Sequence, residues 1–243
     1  MNNDLGQIYY SKIQDIPYDK LFRTLPYNGK ALNDADRRNF VQMIDEEVAF
    51  YEEGIKMVAD YLEEGFAESD LGDIQRAIFT TVLFVKQVVA DCVVASKYFL
   101  MADTDYDKRF MRGKFKVILN EGFKQLYGFK NSKKSETVWG RLEPLMRLFP
   151  QKIKEQYAEL SAILDEQSKV SSWWKEERDM ETHLDAKKLY YTRREELIES
   201  KVMIESLSLI NSLRAVDCFI TNVNGCVLNA LLDAYYRGEL REE

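Results

Sequence analysis

Apolar residues recur at Val41, Ile44, Val48, Tyr51, Ile55, Val58 and Leu62, alternating steps of three and four without a miss. That spacing keeps one stripe on one face of an amphipathic helix. Asn33 or Asp34 can cap the free N–H groups at its start, and Gly65 ends it. The same alternation returns in a last long helix over 194–236, at Leu209, Leu213, Val216, Ile220, Val223, Val227 and Ala230. Leu197 and Val202 extend that stripe less regularly. Between these two seams the pattern predicts a very apolar helix over 73–102. A third helix covers 105–127, with Phe115, Ile118, Gly122 and Leu126 on one face, and stops at Gly128. After a loop over 128–137, a short helix is expected over 138–149. Ile153, Tyr157, Leu160 and Leu164 mark another over 152–166, and Ser171-Ser172 reads as the cap of a short helix carrying Trp173 and Trp174.

Residues 1–32 break this regularity. Pro17, Pro26 and the Asn28-Gly29 turn signal sit among scattered tyrosines, so this stretch reads as an irregular arm packed on the body. Residues 33–243 show no internal repeat, low-complexity run or linker, and read as a single helical-bundle domain. Only 11 Gly and 4 Pro occur in 243 residues, with no Pro after Pro150. So few chain breakers argue against sandwiches, barrels and Rossmann folds, and for an all-α bundle of long antiparallel helices.

Composition narrows the chemistry. With 46% hydrophobic and 31% charged residues the chain is ordinarily globular. Its three cysteines, Cys92, Cys218 and Cys226, form no CxxC pair, which supports neither a zinc ribbon nor a disulfide framework. They fit small apolar positions in a reduced cytoplasm. The one histidine, His183, rules out a His-rich zinc site, and a di-iron bundle would need Glu where Met180 stands. No metal and no cofactor is expected. The N-terminus lacks a basic region followed by an apolar run, and Lys86, Asp91 and Lys97 interrupt the apolar stretch 77–102. That stretch is therefore expected as a central core helix and not a membrane span.

The net charge of −7 argues against a generic nucleic-acid coat, but the charge is unevenly placed. Residues 34–73 carry 13 acids against 3 bases. Residues 105–134 carry nine bases (Lys108, Arg109, Arg112, Lys114, Lys116, Lys124, Lys130, Lys133 and Lys134) against 3 acids. Phe110, Phe115, Phe123, Tyr127 and Phe129 interleave with those bases. Such a mixture can hold single-stranded nucleic acid through phosphate attraction and base stacking. Equally, the aromatics can face the core while the bases form a solvated face.

His183 lies in the run Arg178-Asp179-Met180-Glu181-Thr182-His183. An arginine, an adjacent polar residue and a histidine five positions after the arginine is the motif of HEPN-domain proteins, and the chain resembles that family in these six residues and in its helical character. Asparagine is the commoner neighbour of the arginine; aspartate stands here. The resemblance implies a metal-independent endoribonuclease, a toxin or defence nuclease, that works as a homodimer with two motifs facing each other. It leaves room for an inhibitory protein partner.

The residue types suit that reaction. Cleavage of RNA by its own 2′-hydroxyl needs proton transfer at two oxygens, and a histidine with a pKa near about 6.5 can do this at neutral pH. Arginine supplies a permanent two-point donor for phosphate oxygens. Asp179 precedes His183 by four residues, so on a helix its carboxylate can accept a ring N–H. Arg178 and His183 lie roughly 140° apart around a regular helix. They meet on one phosphate if the helix ends near His183 or a second subunit supplies the partner group. A non-enzymatic helical dimer or adaptor, or a nucleotide-binding module, remains the alternative.

Overall fold

A computed structural model describes residues 14–17, 33–65, 70–129, 132–173 and 199–237. The chain is all-α, with no strand among the described residues. The described residues form five α-helices: α1 (Asp34–Glu64), α2 (Asp70–Met101), α3 (Asp105–Leu126), α4 (Gln151–Trp173) and α5 (Glu199–Tyr236). Two 3-10 turns, Lys134–Glu136 and Glu143–Leu148, lie between α3 and α4.

Local chemistry sets the helix ends. Asn33 caps α1, its Oδ1 accepting the N–H groups of Ala35 and Asp36 at 2.9 Å each. Thr104 caps α3 by accepting the Asp107 N–H at 3.1 Å. Gly65 closes α1 with a φ of 81°, a conformation that costs a residue bearing a Cβ.

Asp45 pairs with Lys97, the Phe50 and Tyr51 rings lie 5.4 and 5.5 Å from Lys86 Nζ, and Tyr61 lies 5.5 Å from Phe79. As positions rise along α1 they fall along α2, so the two helices are antiparallel. Helix α2 is central, packed by α1, α3 and α5, while α4 packs on α5 and α3. By length and composition Gly72–Met101 is apolar enough to cross a bilayer. Here its Ile78, Val85, Val89, Cys92, Val93 and Phe99 form the middle of the core. Buried hydroxyls in α2 stay satisfied within the helix, Ser96 donating to the Cys92 carbonyl at 2.8 Å.

The stripe read on the last helix is the buried one. Leu209, Leu213, Val216, Ile220, Val223 and Val227 are all in the core, each fully buried Leu contributing about 1.5–3 kcal/mol, whereas Ala230 at the far end is exposed. Two expectations change. Residues 138–149 form turns and a 3-10 segment, not an α-helix, because Pro144 cannot donate to a preceding carbonyl and Gly140 weakens the run. Helix α4 does not stop near residue 166 but continues to Trp173, through Ser171 and Ser172. A serine inside a helix costs only a fraction of a kcal/mol relative to alanine, too little to end one that is already packed. Of the N-terminal arm, residues 14–17 are described, with Ile16 buried. Asn222 and Gln156 donate to the Gln14 carbonyl at 2.9 and 2.8 Å, and Lys152 pairs with Asp15 at 2.7 Å.

Candidate functional site

Arg178, Asp179 and His183 lie outside the described residues, in the stretch that joins α4 to α5. The two helices that bracket them are held together by an aromatic cluster. Trp139 stacks on Tyr157 with ring centres 4.7 Å apart, and Phe219 of α5 leans on both at 5.3 and 6.0 Å. The Trp139 indole N–H donates to Ser161 Oγ at 2.9 Å, and the Tyr157 hydroxyl donates to the Trp139 carbonyl at 3.2 Å. Leu160, Leu164, Leu209 and Leu213 fill the space between the helices without solvent contact. Helices α4 and α5, which that stretch joins, are thus packed on each other.

The bases expected to grip phosphate do not form one open face. Lys108, Arg109 and Arg112 are half-buried on the first turns of α3. Lys116, expected among them, is only 4% exposed. Its position explains this: residue 116 shares a face with Leu119, Asn120 and Phe123, all buried. Lys133 is exposed and pairs with Glu136 at 3.0 Å. Lys134 donates to the Tyr127 carbonyl at 3.0 Å, with its ammonium 3.4 Å from the centre of the Tyr127 ring. Burial lowers the Lys134 pKa, with Asp165 opposing. Lys130 lies outside the described residues. Among the interleaved aromatics, Phe115 and Phe123 are sealed in the core, Tyr127 and Phe129 are half-buried against it, and Phe110 is exposed beneath Lys114. The aromatic face of α3 is thus mostly core, which leaves Phe110 as the member open to a base.

A second charged group was not read from the sequence. Lys86 of α2 pairs with Asp217 of α5 at 3.1 Å, and Arg214 of α5 donates through Nε to Glu47 of α1 at 3.0 Å. Tyr51 sits between them, its pKa raised by burial first and by the Glu47 and Asp217 carboxylates second. Gly54 makes room: a Cβ there would stand 3.2 Å from the Lys86 side chain. The signal available in the sequence was Lys86 itself, a cation in the middle of an apolar helix. Its partner is 131 residues away, beyond any local pattern. Every member of this group has an opposite charge or a hydrogen-bonding neighbour, which makes it a three-helix fastening and not an open site. Among the described residues no three His, Cys, Asp or Glu side chains come together as a metal-binding set.

Comparison with family models, curated proteins and solved structures finds no match to this chain.

Proposed function

We propose that the protein is a HEPN-like, metal-independent endoribonuclease that cleaves RNA by 2′-hydroxyl attack, a cytoplasmic toxin or defence nuclease acting as a homodimer. The observation that carries this reading is the Arg178-Asp179-Met180-Glu181-Thr182-His183 run, which holds the chain's one histidine, in an all-α protein. His183 transfers the protons, Arg178 holds the phosphate, and Asp179 orients the imidazole. Lys108, Arg109 and Arg112 at the rim of α3, with Lys130, Lys133 and Lys134 after it, are the candidates for guiding the RNA backbone. Lys116, being buried, has no part in this. A homodimer brings two motifs together, so that Arg178 of one subunit and His183 of the other can act on one phosphate.

The test is incubation of the purified protein with a mixed RNA pool in the presence of EDTA. Cleavage that disappears in His183→Ala supports the reading, and an intact pool at high protein concentration removes it.

A further inference from the structure

Helix α1 carries a surface that neither the core nor the RNase reading uses. Met43, Phe50 and Met57 lie seven residues apart, and Tyr61 continues their line one turn on. They are 62%, 63%, 54% and 48% exposed. Single exposed apolar residues need no explanation, but a row of four along about 27 Å of one helix does. A second row runs beside it. Glu46, Glu53 and Asp60 each follow a member of the apolar row by three residues, and all three are exposed. The helix as a whole holds ten acids against three bases, a balance of −7 that equals the net charge of the entire chain.

The row is also held in place. The Phe50 ring sits edge-on to Tyr51 at 5.6 Å with Lys86 5.4 Å from its centre, and Tyr61 leans on Phe79. An aromatic fixed from behind loses little freedom when something packs on it, as anchors of interfaces do.

We propose that this face of α1 docks a basic amphipathic helix of a partner protein, whose apolar stripe packs on Met43, Phe50, Met57 and Tyr61 while its lysines or arginines meet Glu46, Glu53 and Asp60. Helix-on-helix pairing with flanking charges selects its partner by sign. A second copy is disfavoured, because α1 against α1 sets one acidic row against another. The proposal stands apart from the RNase reading, since it involves neither Arg178 nor His183.

An amidated Leu/Lys model helix of about 18 residues, long enough to span the row, serves as the probe by anisotropy, with a Leu/Glu helix of the same pattern as its counterpart. The expected result is binding of the Leu/Lys helix alone, weakening as salt rises. Phe50→Ser/Met57→Ser should weaken it by about tenfold or more, and Glu46→Gln/Glu53→Gln/Asp60→Asn by a similar factor with a flatter salt dependence. Glu155→Gln/Glu159→Gln on exposed positions of α4 should change it by less than about twofold. All these positions are exposed, and circular dichroism checks that each variant keeps its helices. An equal loss in the α4 variant would mean diffuse charge attraction and overturn the proposal, as would an unaltered affinity in Phe50→Ser/Met57→Ser. A wild-type dimer that Phe50→Ser/Met57→Ser dissociates would assign the face to a second copy and also overturn it.

Discussion

Lys86 in the middle of α2 and Asp217 in α5 meet at 3.1 Å with side chains only 12% and 17% exposed. The pair joins the most apolar helix of the chain to its longest one, and the Phe50 and Tyr51 rings close over the ammonium from α1. Contact between the two side chains offsets the cost of withdrawing both from water.

Asp217→Ala should therefore cost about 3 kcal/mol in urea unfolding, since it leaves a largely buried ammonium without its partner. Replacing both, as Lys86→Met/Asp217→Leu, should recover most of that loss, because two apolar side chains need no solvation. A double variant as unstable as the single one would show that the site needs its charges.

Gly122 on α3 faces Val88 of α2, where an added Cβ would stand 2.6 Å from Val88 Cγ1. Glycine inside a helix is ordinarily improved by alanine by up to about 1 kcal/mol. Here the sign should reverse, with Gly122→Ala destabilising by about 1–3 kcal/mol through overpacking. Val88→Ala in the same chain should relieve part of this. Thermal melts of the two single variants and the double one check it, and a higher melting temperature for Gly122→Ala would refute the close approach.

Tyr51 and Tyr157 have phenols whose pKa values are raised, in each case by burial first. The folded state thus holds these protons more tightly than the unfolded chain. Their contribution is complete below the ordinary phenol value of about 10 and is lost as pH rises above it. Melting temperature should fall as pH rises above about 10, and less steeply in Tyr51→Phe, which has no proton to lose. Parallel curves for the variant and the wild type would exclude Tyr51 as a source of the alkaline loss.

Much of the architecture was legible before the structure because it rests on local periodicity. The Val41–Leu62 seam places Ile44, Tyr51 and Val58 in the core, and the Leu209–Val227 seam is buried at all six of its positions. Caps such as Asn33 were readable for the same reason, since their hydrogen bonds span two or three residues. Ser171-Ser172 misled because a good capping residue is also tolerated inside a helix, and only packing decides between the two. Lys116 misled differently: charge alone suggested a solvated face, but its heptad neighbours Leu119 and Phe123 carry it inward. The Lys86–Asp217 and Arg214–Glu47 contacts join distant parts of the chain, so no window of sequence contains both partners.

The catalytic reading is tested most directly by the ends of the RNA fragments produced in EDTA by the wild-type protein and by His183→Ala. Attack by the 2′-hydroxyl leaves a 2′,3′-cyclic phosphate on one fragment and a 5′-hydroxyl on the other. The wild type should yield those ends, while His183→Ala should yield none and keep its helical content and melting temperature, losing well under about 1 kcal/mol of stability. Arg178→Lys should retain part of the activity, because an ammonium makes one contact to phosphate where the guanidinium makes two. Asp179→Asn should be the mildest of the three, since it keeps an acceptor for the imidazole N–H. Fragments ending in 5′-phosphate and 3′-hydroxyl, or the same cyclic-phosphate ends from His183→Ala at the wild-type rate, would contradict the assignment, because the chain holds no second histidine to take over.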